Sequence, residues 1–331
     1  MNKGKVHRKA IMPEEVASNI YRVEIPLPAS PLKALNSYVI KGQERHLVVD
    51  CGLRRKECRV AMRAGLDALG IDLADTDFFI THFHVDHLGL VSDLATKRSR
   101  IYLNGPDAAR IAMPKVEDAL AAGFPPEEID AAFRAHPGAR YGARLPIPFS
   151  MPQDGQMITA GEYKLRCVAT PGHSFGHLCL YEEEHNILFS GDHILKEITS
   201  NIQAWFDGWN PLKEYLQSLG RIGKLAVTLV LPGHGRIFTD IIARIAELKE
   251  HHAMRAKELL SVMKRGPRTA YQLASGMTWD IVCDSFERFP ISQKWFATGE
   301  TVAHLVFLEE MGKVWKERVE EYTFAWALRE Q

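Results

Sequence analysis

The chain predicts an α/β fold on three observations. Residues 20 to about 240 alternate short, apolar, β-prone runs with helix-like segments, without internal repeats or low-complexity stretches. Acids and histidines stand at the ends of those apolar runs, beside glycine. Open α/β sheets put their chemistry there, beyond the carboxyl ends of the strands. Four such polar residues crowd into one run, ITHFHVDHLG, residues 80–89.

The elements follow in order. YRVEIPLP, NSYVIKG and RHLVVDCG read as the first strands, the last ending in Asp50 and a glycine turn. Asp77 to Thr81 is short and apolar and reads as a buried strand. Asp86 then opens HLGLVSDLATK, which reads as a helix with acids near its start. His82, His84, Asp86 and His87 therefore fall on a strand-to-helix loop. The loop LPASPLKALNSY, residues 27–38, is expected to flank the same cleft. From about 105 to 150, DAARIAMPKVEDALAAGF and PPEEIDAAFRAH read as a helical insertion before the next sheet. It either shapes a substrate pocket or forms an outer layer. Three further strand-like runs each lead into a polar residue: KLRCVAT into His173, ILFS into Asp192 and AVTLVL into His234. The last part starts in the long helical run IIARIAELKEHHAMRAKELLSVMKR. RTAYQLASGM and ETVAHLVFLEEMGKV follow as two short helices, and WKERVEEYTFAWAL as a strand-like alternation.

The 80–89 run has a chemical reading. Three imidazoles and a carboxylate buried so close together, unpaired, would cost roughly several kcal/mol each. A divalent cation turns that cost into a site. Neutral imidazole suits zinc, copper, iron and nickel, and the carboxylate extends the choice toward harder ions. In an extended loop residues i and i+2 point the same way, so His82 and His84 grip one ion. Asp86 and His87, displaced along the chain, reach a second.

Together these motifs resemble the metallo-β-lactamase superfamily. Its HxHxDH signature is matched in full at His82, His84, Asp86 and His87, and its later motifs match in order at His173, Asp192 and His234. The resemblance covers roughly residues 15–240 and implies a four-layer αββα sandwich with a dinuclear metal site in a cleft at one edge. It implies that His82, His84 and His173 hold the first metal, that Asp86, His87 and His234 hold the second, and that Asp192 bridges them. It also implies that Asp50 supports the site from behind, accepting an N–H from a metal-binding histidine.

The C-terminal part resembles the winged-helix domain appended to one subgroup of that superfamily, on GPRTAYQLA and GETVAHLVFLEEMGKV. This divides the chain into a catalytic domain, 1–245, and a winged-helix-like domain, 246–331. The subgroup includes a mitochondrial endoribonuclease and many bacterial hydrolases of unassigned substrate. Winged helices that bind duplexes need a basic footprint. Residues 241–331 instead carry 13 Lys and Arg against 13 Asp and Glu, and Gly299 to Met311 holds Glu300, Glu309 and Glu310 with no Lys or Arg. Lys313, Lys316 and Arg318 form only a small basic patch. The domain is expected to serve packing, lid closure or oligomerisation, a homodimer included.

The remaining histidines read as structural. His193 follows Asp192 and should point the opposite way, toward the core or behind the site. His177 should make a structural hydrogen bond. His7, His46, His136, His185, His251 and His252 lie in polar contexts and read as solvated; His304 reads as helix surface or core. Trp205, Phe206, Trp209 and Tyr215 either fill the core or stack on a substrate's acyl, aryl or base moiety.

Composition bounds the function. Lys+Arg and Asp+Glu are 41 each, which argues against strong non-specific nucleic-acid binding. Five scattered cysteines without a CxxC pattern read as reduced thiols of a cytoplasmic protein. The N-terminus is basic but has no apolar core, so it does not read as a secretory signal. No apolar run approaches membrane-spanning length, so no membrane partner is expected.

The expected activity follows from the metals. Two divalent ions per chain, zinc first with manganese or iron open to the same ligands, would share a water and lower its pKa from 15.7 toward about 7. The bridging hydroxide would attack a carbonyl or phosphoryl centre, with Asp86 orienting it or shuttling its proton. A small ester or thioester substrate is the first expectation. The alternatives are a single-strand endoribonuclease acting on single-stranded RNA and a non-catalytic metal-binding protein.

Overall fold

The computed structural model describes residues 12–28, 30–111, 115–205 and 208–329. His7, Phe206 and most of the basic N-terminal stretch lie outside the described residues. The first sheet has seven strands in chain order: β1 (Glu14–Ala17), β2 (Ile20–Pro26), β3 (Ala34–Ile40), β4 (His46–Val49), β5 (Thr76–Phe79), β6 (Ile101–Tyr102) and β7 (Phe149–Ser150). β1 to β4 are antiparallel, and β4 to β7 are parallel. The second sheet has β8 (Met157–Ala160), β9 (Tyr163–Ala169), β10 (Leu178–Glu182), β11 (Ile187–Gly191) and β12 (Leu229–Pro232), in the order β12-β11-β10-β9-β8. β12 runs parallel to β11, and the other pairs are antiparallel.

The helices of the first half are α1 (Lys56–Leu69), α2 (Val85–Leu88), α3 (Val91–Leu94), α4 (Gly105–Ala108), α5 (Val116–Ala121), α6 (Pro126–Ala135) and α7 (Gly138–Tyr141). Those of the second half are α8 (Pro211–Ile222), α9 (Ile241–Met263), α10 (Ala270–Ala274) and α11 (Ile291–Glu310), before the hairpin β13 (Val314–Arg318) and β14 (Phe324–Leu328).

Strand alternation explains the stacking. Val48 and Phe78 face outward and pack on Cys58, Ala61, Met62 and Leu66 of α1. Their neighbours Val49 and Phe79 face inward and meet Leu165, Cys167, Leu180 and Phe189 of the second sheet. There the pattern repeats: Val168, Cys179 and Leu188 turn outward onto Leu212, Tyr215 and Leu219 of α8. A one-residue slip would swap these faces, so the register is strongly specified. Helix, sheet, sheet, helix is the expected four-layer αββα sandwich.

Four expectations need correction. HLGLVSDLATK is two single turns, α2 and α3, because the His87 carbonyl accepts from Cys51 N–H at 2.9 Å and Leu90 N–H turns to the Gly52 carbonyl. The insertion α4–α7 lies between β6 and β7, so the chain returns to the first sheet before starting the second. Its Phe124 and Phe133 meet Trp295 edge-on at 5.5 and 5.3 Å, and Lys294 Nζ donates to Glu128 Oε1 at 2.7 Å. The short helix expected at ETVAHLVFLEEMGKV is the second half of a 20-residue helix that begins at Ile291. His252 is buried rather than solvated, with Nδ1 at 3.3 Å from His304 Nε2.

Cys51, Cys58, Cys167 and Cys179 are buried and Cys283 is exposed, and none of the five is in a disulfide. Among the described residues, no helix is long and apolar enough to cross a membrane.

Candidate metal centre

The sandwich delivers every expected site residue to one end. Asp50 follows β4, the run from His82 to His87 follows β5, His173 lies between β9 and β10, Asp192 follows β11 and His234 follows β12. Three sets of potential donor atoms come together, each within 4.8 Å: His82, His84 and His173; His82, His87 and Asp192; and Asp86, His87 and His234. Gly233 makes the approach possible, since a Cβ there would lie 2.6 Å from Asp192 Oδ1.

Hydrogen bonds assign the ring tautomers. Asp50 accepts from Thr81 N–H at 2.9 Å, from Thr81 Oγ1–H at 2.8 Å and from His87 Nδ1–H at 2.7 Å. Thr81 Oγ1 has spent its proton on Asp50, so it accepts from His82 Nδ1 at 3.0 Å. His173 Nδ1–H donates to the Asn201 carbonyl at 2.9 Å, and His234 Nδ1–H to the Ala34 carbonyl at 2.7 Å. The loop at residues 27–38 thus does flank the site, through the first residue of β3.

With these four Nδ1 atoms occupied, the Nε2 atoms of His82, His87, His173 and His234 point inward. His82 and His173 Nε2 face each other at 3.1 Å. Asp192 Oδ1 lies 3.4 Å from His87 Nε2 and 3.5 Å from His234 Nε2, while Oδ2 lies 3.6 Å from His173 Nε2. His234 Nε2 is also 3.4 Å from Asp86 Oδ2. Among the described residues, His87 Nε2, His234 Nε2 and Asp192 Oδ1 are buried without a hydrogen-bond partner. Lone pairs converging on lone pairs repel unless something positive sits between them. This donor set fits a divalent cation.

The electrostatics divide the cluster. Burial, reinforced by the neighbouring histidines, holds His82 well below the usual imidazole range. His84 is pushed down to about 3 by burial and His173. His87 goes the other way: burial opposes its charge, but Asp50, Asp192 and Asp86 outweigh burial and raise it well above the usual range. His234 is raised likewise, with Asp192 and Asp86 overcoming burial. Asp192 stays ionised despite burial because His234 and His87 face it. Protons on His87 and His234 would therefore compete with a cation, so metal affinity should rise with pH.

Asp50 sits at a φ of 58°, a conformation that Asp and Asn tolerate. Asp50→Asn therefore tests the carboxylate rather than the turn. Metal affinity and activity are expected to fall about 10–100-fold with the fold kept, as circular dichroism would show. Unchanged affinity would remove Asp50 from the account.

His177 makes its expected structural bonds. Its Nδ1–H donates to Thr170 Oγ1 at 2.8 Å, and its Nε2 accepts from Asp192 N–H at 3.2 Å, fixing the backbone of Asp192. His193 points into the core against Tyr215, ring centroids 5.1 Å apart. Tyr215 is fully buried, and Trp205 stacks on Trp295 at 3.9 Å, so both are core residues. Sequence reasoning missed Thr81, the Ala34 and Asn201 carbonyls, and Asp107. An acid after Asn104-Gly-Pro signals a helix start, and nothing local signals Asp107's bonds to the loops that carry the histidines.

A sequence model of the Metallo-beta-lactamase superfamily matches residues 32–234. The chain belongs to that superfamily. Its fold implies divalent-metal binding, and the chain is a metal-dependent hydrolase. The Lactamase-like protein adaB of Aspergillus niger is 25% identical, covering 89% of this chain and 91% of that one. The Atrochrysone carboxyl ACP thioesterase of Emericella nidulans is 26% identical, over 76% of this chain and 67% of that one. The crystal structure of a Beta-lactamase domain protein from Burkholderia ambifaria superposes with a TM-score of 0.83 at 27% identity, covering 96% and 94% of the two chains.

Proposed function

We propose that this superfamily member is a dinuclear metal-dependent hydrolase of thioesters. The carrying observation is the position of Asp192. Its Oδ1 faces His87 and His234, while its Oδ2 faces His173. A carboxylate so placed suits a bridge between two cations. His82, His84 and His173 would hold the first, and Asp86, His87 and His234 the second. Zinc suits this donor set, and manganese or iron would accept it.

Bound there, the cations would polarise a carbonyl and lower the pKa of a shared water toward neutrality. The protein's part is preorganisation. Asp50, Thr81, Ala34 and Asn201 hold the ring N–H groups, so the lone pairs face inward before substrate arrives. The Asp86 side chain is 20% exposed against 9% for Asp192, so Asp86 is the site carboxylate that can exchange protons with solvent. It would take the attacking water's proton and return it to the thiolate released as the C–S bond breaks.

The thioester class rests on the relative named as a thioesterase and on the aromatic surroundings. Phe175, two residues beyond His173, stacks on Trp209 at 3.7 Å. Trp209 also lines a cavity of about 450 Å³ with Trp205, Phe324 and Trp326. Its lining also holds Asp118, Glu309, Glu310 and Lys316 and none of the candidate metal ligands, so the thioester class rests first on the relative.

The β13–β14 hairpin favours a second reading. Lys316 lies over Phe324 and Trp326 at 5.4 and 5.6 Å, and Arg318 over Phe324 at 5.3 Å. Basic residues beside aromatic faces bind single strands, which fits an endoribonuclease. The balanced charge of residues 241–331 weighs against it. We place a C-terminal unit after residue 245, although α9 crosses that point unbroken. Ile241, Ile245 and Leu248 pack on the second sheet, and Leu259 and Met263 on the C-terminal helices.

The test assays metal-loaded protein on a panel of acyl and aryl thioesters, esters, lactones and end-labelled single-stranded RNA. Thioester turnover is expected, falling about 10²–10⁴-fold in Asp86→Asn. RNA cleavage that this variant abolishes, without thioester turnover, would replace this reading with the nuclease.

A further inference from the structure

We infer that Asp107 is a positioning residue that sets the first metal subsite by clamping its two loops together. The inference rests on the dinuclear reading above. Asp107 lies on α4, at the start of the insertion, and is fully buried. Its Oδ2 accepts from Phe83 N–H at 3.0 Å and from Ser174 Oγ–H at 2.7 Å. Its Oδ1 accepts from Gly176 N–H at 2.6 Å.

The address of each bond matters more than their number. Phe83 stands between His82 and His84. Ser174 adjoins His173, and Gly176 closes the same turn. The first loop leaves β5 of one sheet, and the second joins β9 to β10 of the other. One carboxylate therefore ties together the two segments whose histidines must meet, and His82 and His173 face each other at 3.1 Å. Gly176 permits the contact: a Cβ there would lie 2.8 Å from Asp107 N.

The other subsite has separate supports. His87 is held by Asp50, and His234 by the Ala34 carbonyl. No hydrogen bond of Asp107 given by the described residues reaches Asp86, His87 or His234. Loss of the carboxylate should therefore weaken one subsite selectively. Phe83 and Gly176 offer backbone N–H groups to opposite oxygens, so in either orientation the amide of the isosteric Asp107→Asn would present N–H to N–H.

The experiment titrates metal-depleted wild type, Asp107→Asn and Ser174→Ala with Co²⁺, followed by calorimetry and visible absorption. His173→Ala and His234→Ala, each opening one subsite, assign the binding events. Asp107→Asn is expected to weaken the His173-dependent event about 10–100-fold and leave the His234-dependent event unchanged. Ser174→Ala, which keeps both N–H bonds, should move the same event by less. Equal weakening of both events, or a lower melting temperature with both affinities unchanged, would overturn the clamp. A wild type that binds a single cation would sink the dinuclear reading instead. The clamp would then stand or fall on whether that one affinity drops in Asp107→Asn.

Discussion

Asp192→Asn should lower turnover by about 10³-fold or more, on the order of 4 kcal/mol of transition-state stabilisation. The substitution keeps the volume of the side chain and removes its charge. In the native site Asp192 Oδ1 is buried without a partner between His87 and His234 Nε2. The metal-free variant loses the attraction of the protonated His87 and His234 for the Asp192 carboxylate, so it should be no more stable than the metal-free wild type. The metal-loaded forms should differ sharply: an amide is a poor bridge, and metal content should fall below two per chain. Turnover, metal content and melting temperature measured together check this. Full turnover in the variant would remove Asp192 from the mechanism.

Chelation should lower the melting temperature, on the order of 5–10 °C for cations held a thousandfold below their working concentration. Such binding contributes about 4 kcal/mol by mass action. One origin is the crowding of the His82 and His173 Nε2 lone pairs at 3.1 Å, which a cation relieves. The effect should fade as pH falls. The carboxylates hold protons on His87 and His234, and those protons must leave before a cation binds. Thermal denaturation with and without chelator, at several pH values, checks both points. A melting temperature indifferent to chelator at neutral pH would mean that the cluster is satisfied without metal.

The candidate site was legible because its chemistry is local. Each of the seven residues stands in a short motif at a strand end, and strand ends can be read from apolar runs. Packing across the chain was harder to read. Asp107 bonds to Ser174 across 67 residues, a distance no local pattern encodes. α11 carries no clear stripe because Trp295, Ala297, Gly299, Thr301, Ala303 and Leu305 bury it on several sides, and a helix buried on most sides has no clear polar face to mark it. His252 did leave a signal. It stands four residues after Leu248 and seven before Leu259, in phase with the buried face of α9, and its polar neighbours in the sequence obscured that spacing.

The most direct measurement returns zinc stepwise to chelated protein and follows thioester hydrolysis against bound metal per chain. Activity should rise to a plateau at two equivalents, with the second equivalent contributing most of it. A plateau at one equivalent, or hydrolysis that survives complete metal removal, would contradict the account.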